Sequence, residues 1–146
     1  MIRRGDTVTI PFGTRPAAPI DPADVAAVAA VALTLDQYRG TALRLSGPQV
    51  LTPEDELRIL AEILGRSLRF VEPPVDAARA QMLAYGMPEP FVDAVIARVL
   101  SDDGSGAQVL PTVATVLGRP ATTFAEWTKA HTGAFMRSAD PPHVGP

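Results

Sequence analysis

The chain has 146 residues, of which 47% are hydrophobic, 20% charged and 5% aromatic, with a formal net charge of −3. That length is near the mode for one domain and allows about two thirds of the unfolded surface to be buried, which excludes wholesale disorder and requires a core built from Ala, Val and Leu. The lack of cysteine removes disulfides, thiolate metal sites and Cys nucleophiles and fits a cytoplasmic protein, while the scattered, slightly acidic charge lacks the basic stripe that nucleic acid demands.

Met1-Ile2-Arg3-Arg4 leads into no apolar run of signal-peptide length, so no export signal is expected. Thr7-Val8-Thr9-Ile10 alternates as a short strand and stops at Pro11-Phe12-Gly13. Asp21-Pro22-Ala23-Asp24 starts a helix, with a capping carboxylate, Pro at the first helical position and an acid in the first turn. This helix is predicted over 22–38, and its Ala-rich flanks suggest that it is sandwiched between neighbours. Its apolar stretch from Val25 to Leu35 is only roughly half of a bilayer span, so no membrane is expected.

Thr41 to Ser46 alternates as a second strand closed by Gly47-Pro48. Thr52-Pro53-Glu54-Asp55 repeats the cap, Pro and acid device, with Leu57, Leu60, Ala61 and Leu64 on one face and Gly65 as the stop. Ser67 to Glu72 is a third strand. Helices are then predicted over 75–85, 88–100 and 112–117, separated by Gly86, by the polar turn 101–106 and by Gly118-Arg119-Pro120. Thr123-Phe124-Ala125-Glu126 is a capping box opening a last helix with Phe124, Trp127, His131 and Phe135 on one face. A single domain over 1–137 and a disordered tail over 138–146 are expected. The 15 prolines mark the starts and stops of elements.

No glycine-rich turn joins a strand to a helix here, so the backbone cradle of a dinucleotide is missing, and Gly104-Ser105-Gly106 reads as a loop. Neither Tyr38 nor Tyr85 has a lysine four residues on, which removes the Tyr-Lys proton-transfer pair. His131 and His143 have no metal-ligand spacing, and no metal site is expected. Asp21, Asp24 and Glu54-Asp55-Glu56 read as helix-dipole compensation. Met82, Tyr85 and Met87 flank a helix break, which suits either core packing or an adaptable apolar pocket.

Pro19-Ile20-Asp21-Pro22-Ala23-Asp24-Val25-Ala26, then Gly40 to Pro48 with Leu51-Thr52, then Leu64-Gly65-Arg66 resemble the second half of the NmrA-like, NAD(P)H-binding atypical short-chain dehydrogenases. Gly86-Met87-Pro88 and Val116 to Pro120 followed by Thr123-Phe124-Ala125-Glu126-Trp127 and His131 resemble the helices on that family's substrate side. The resemblance implies an α/β, Rossmann-type fold of which this chain is the helix-rich, C-terminal substrate-side half, α+β as an isolated piece with about three short strands. It implies quinone or azo-compound reduction among family activities. NAD(P)H is implied for the complete fold, with no cofactor bound by this chain alone and no catalytic residue assigned. The substrate-side segments carry over to Phe12, Arg15, Met82, Tyr85, Met87, Trp127 and His131, for a small apolar or aromatic molecule. The partner is either a second copy in a homo-oligomer or a separate dinucleotide-binding chain. The alternative is a cofactor-free module that binds a small apolar ligand.

Overall fold

Helix starts are where local chemistry and structure agree most closely in this chain. In the computed structural model, which describes residues 5–101 and 105–136, Asp21 accepts a hydrogen bond from the Ala23 amide at 2.8 Å and opens α1 (Pro22–Thr34). Thr52 opens α2 (Pro53–Leu64) with a complete capping box, and Gly65 closes it in the left-handed region at φ 61°. The Thr52 hydroxyl, the Thr52 amide and Arg58 hold the Asp55 carboxyl down to about 2. There follow α3 (Val75–Ala84), α4 (Glu89–Leu100), α5 (Thr112–Leu117) and α6 (Phe124–Ala130), the last opened by the Thr123–Glu126 capping box.

Only two strands form among the described residues, β1 (Thr7–Thr9) and β2 (Arg69–Val71), paired in parallel with Val8 opposite Phe70. The helices pack as pairs, α1 on α5, α2 on α6 and α3 on α4. Each pair supplies its own buried side chains: Val28 and Val113, then Leu57 and Leu60, then Ala78 and Val92. Ion pairs from Arg79 to Glu89 at 2.6 Å and to Asp93 at 3.0 Å fasten α3 to α4.

Four sequence expectations are corrected. The stretch 41–46 is not a strand. It ends in a buried crossing where Ser46 Oγ accepts from the Leu110 amide at 2.7 Å and the Gly47 amide donates to Ala18 O at 3.1 Å, so its polar groups go to side connections rather than a ladder. The first helix stops at Thr34, whose hydroxyl reaches back to Ala30 O and Val31 O, and Asp36–Tyr38 is a separate 3-10 turn. The last helix stops at Ala130, and Thr132–Ala134 continues as a 3-10 turn. Finally, α1 is not sandwiched: Val28 is buried on the α5 side while Val25 and Leu33 are exposed, Leu33 by 87%. Arg3, Arg4, Asp102, Asp103, Gly104, His143 and the expected disordered tail lie outside the described residues. Among the described residues, no helix is long and apolar enough to cross a membrane.

Thr128 on α6 is fully buried, and its hydroxyl has no hydrogen-bond partner among the described residues. A buried hydroxyl without a partner costs about 1–3 kcal/mol, and Val has the same shape with a similar helix propensity. Thr128→Val should therefore raise stability by about 1 kcal/mol, read as a melting temperature about 3 °C higher. A lower melting temperature would show that the hydroxyl is bonded in solution.

Candidate functional site

An apolar cleft of about 140 Å³ lies where the starts of α1 and α6 converge, lined by Pro19, Ile20, Asp21, Pro22, Thr122, Thr123, Phe124 and Trp127. Its two walls are tied together by Asp24, whose Oδ2 accepts from the amide of Thr122, 98 residues on, at 2.7 Å. Asp24 Oδ1 lies 2.7 Å from Arg119 Nη2, an ion-pair approach without the direction of a good hydrogen bond. Asp24 is 0% exposed. Burial pushes its carboxyl up, but the Thr122 amide and Arg119 outweigh that and hold it below the ordinary value of 3.8. From sequence, Asp24 reads only as a first-turn dipole acid. A carboxylate three residues after a helix cap, with one arginine in a later helix stop, is too common a pattern to disclose this bond.

Trp127 carries an aromatic row along α6. Phe124 stacks on it at 5.8 Å, His131 at 4.7 Å with 25° between planes, and Phe135 meets it edge-on at 6.0 Å. His131 Nδ1 is 2.8 Å from Trp127 O. A carbonyl only accepts, so Nδ1 carries the proton in that bond.

The seven predicted lining residues fall into three groups. Trp127 and His131 stack as described, and of the seven only Trp127 lines the cleft. Phe12 and Arg15 share one turn, in which the Arg15 amide donates to Phe12 O at 3.2 Å and Gly13 O accepts from the Glu54 amide at the start of α2. Phe12 is the one non-glycine residue with a left-handed backbone among those described, at φ 59°, and such strain in a bulky residue collects at functional positions. Met82 is half-buried on α3, while Tyr85 and Met87 stand exposed around Gly86, whose φ of 81° turns α3 into α4. Sequence reasoning also missed the setting of Glu56 on α2, a half-buried carboxyl pushed up by burial.

The residues do not fit a dinucleotide's pyrophosphate. Among the described residues, β2 runs into α3 through Glu72-Pro73-Pro74, which offers a carboxylate and two prolines without amide protons where phosphate oxygens need donors. Gly13, after β1, is packed against the Phe70 ring, which an added Cβ would strike. No cluster of three potential metal ligands occurs among the described residues.

No family model matches the chain. It is 41% identical over 135 residues to the (4-alkanoyl-5-oxo-2,5-dihydrofuran-3-yl)methyl phosphate reductase of Streptomyces griseus subsp. griseus, covering 92% of this chain and 48% of that protein. It is 38% identical over 135 residues to the NAD(P)H azoreductase of Xenophilus azovorans, covering 92% of this chain and 47% of that one. The fold resembles an NADPH-dependent quinone oxidoreductase from Escherichia coli with a TM-score of 0.70 at 21% identity, over 88% of this chain and 46% of the other. The chain thus spans about half the length of each of these proteins. In sequence it is similar to part of these reductases and in fold to part of the quinone oxidoreductase, a likeness of the kind that the resemblance to the NmrA-like atypical short-chain dehydrogenases implies.

Proposed function

We propose that this chain forms the substrate-side half of an NAD(P)H-dependent oxidoreductase and that a dinucleotide-binding half completes it, either on the same polypeptide or on a partner chain. The observation that carries this reading is the two-stranded parallel ladder, three residues to a strand. Parallel sheets are stable when buried on both faces and continued by further strands, and a pair this short contributes little alone. The exposed apolar side chains agree with it: Leu33 and Val25 on α1, and Tyr85, Met87 and Phe91 on the α3–α4 hairpin, await a covering surface. The substrate is a small apolar or aromatic molecule, with Phe12, Arg15, Met82, Tyr85, Met87, Trp127 and His131 as its wall, drawn together as the second half seats. When bound to that second half, NAD(P)H supplies the hydride.

Without that half, the chain should cover its apolar faces by self-association. Light scattering on the purified chain at micromolar concentration is expected to give twice the monomer mass or more. A monomer with a cooperative thermal transition would count against the need for a covering partner.

A further inference from the structure

We propose that the cleft between the starts of α1 and α6 is a binding site for a single uncharged aromatic ring. Its volume of about 140 Å³ is close to that of an apolar protein cavity that takes up benzene, roughly 150 Å³. Phe124 and Trp127, already stacked on each other, both line the cleft, so an incoming ring meets an aromatic wall. Ile20, Pro19 and Pro22 supply the opposite wall. The polar groups at the rim are largely committed within the protein: Asp21 caps Ala23, Thr123 and Glu126 cap each other, and the Thr122 amide is held by Asp24. Polar groups that are already satisfied have little to offer a polar ligand. The Asp21 and Glu126 carboxylates sit at the two helix starts that frame the opening, so a negatively charged ring is repelled.

The cleft is built rather than incidental, because the buried Asp24 fixes the wall formed by Thr122 and Thr123 against α1. The site shares Trp127 with the proposed substrate wall, but it needs no nucleotide and no second half, so its failure is distinguishable from failure of the oxidoreductase reading.

The probe is 4-fluorophenol, followed by its fluorine resonance and by the emission of Trp127, the only tryptophan. Saturable binding is expected with a dissociation constant of about 1 mM, in keeping with a ligand of so few atoms. Binding should weaken at least about tenfold for 4-fluorobenzoate, which is anionic, and for the Ile20→Phe variant, which fills the cleft. Linear, unsaturating quenching would overturn the proposal, as would equal binding of 4-fluorobenzoate or unchanged affinity in a folded Ile20→Phe protein. Should that variant fail to fold, the Trp127 indole N–H resonance of the unaltered protein decides: it shifts with 4-fluorophenol if the site exists and stays in place if it does not.

Discussion

Gly47→Ala is expected to destabilise the protein by about 3–5 kcal/mol and to lower the melting temperature by about 10–15 °C. Gly47 is buried, and a Cβ built on it would fall inside the carbonyl group of Pro19, with Ile20 close behind. The obstacle is backbone, which cannot rotate away as the Phe70 ring beside Gly13 can. Three segments meet here. The Gly47 amide donates to Ala18 O, the Ala18 amide donates to Gly106 O at 2.9 Å, and Ser46 Oγ accepts from Leu110. Pushing Gly47 out therefore strains all three connections and displaces Pro19 and Ile20, which line the aromatic cleft. A thermal melt within about 3 °C of the unaltered protein would show that this crossing opens in solution.

Asp24→Asn should cost about 2–3 kcal/mol at neutral pH, less than the full penalty for breaking a buried pair because Arg119 is half-exposed and can return to water. The amide still offers an oxygen to Thr122 but places an N–H group against the guanidinium. The folded Asp24 carboxyl titrates below its ordinary value of 3.8, so its stabilisation is fully present above pH 3.8 and is lost as pH falls through the lower folded value. The stability gap between the two proteins should therefore be constant from about pH 5 to 8 and narrow below about pH 4. Urea denaturation at pH 7 and at pH 3 measures it. A gap that widened in acid would contradict the direction assigned to this carboxyl.

Much of the helical framework is legible from local chemistry. Asp21, Thr52 and Thr123 each start a helix where their side chains can reach the next free amides, and Gly65, Gly86 and Gly118 stop one with a positive φ. What cannot be read locally depends on distant partners. Thr41 to Ser46 has the alternation of a strand, but pairing needs an edge, and the described residues give it hydrogen bonds across a crossing instead. Asp24 has the same local credentials as any first-turn acid, and only the approach of Arg119 and Thr122 from nearly a hundred residues away makes it a buried tether. The cleft is invisible for the same reason: Ile20 and Trp127 belong to unrelated local patterns. For the substrate wall, the family resemblance points to positions that the described residues arrange in three groups.

The exposed apolar faces have the same origin. The Ala and Val content of α1 reads as a helix buried on several sides, yet α5 covers only one. If a second half completes the fold, the uncovered face of α1 belongs to the surface it seats on, and its strands extend the short parallel ladder.

On the proposed reading the dinucleotide is held elsewhere than by these residues, since Glu72-Pro73-Pro74 and Gly13 do not suit a pyrophosphate. Titration calorimetry of the purified chain with NADPH and with NADH tests this most directly. No binding tighter than about 100 μM, equivalent to about 5 kcal/mol, is expected. A dissociation constant below about 100 μM for either nucleotide would contradict this reading.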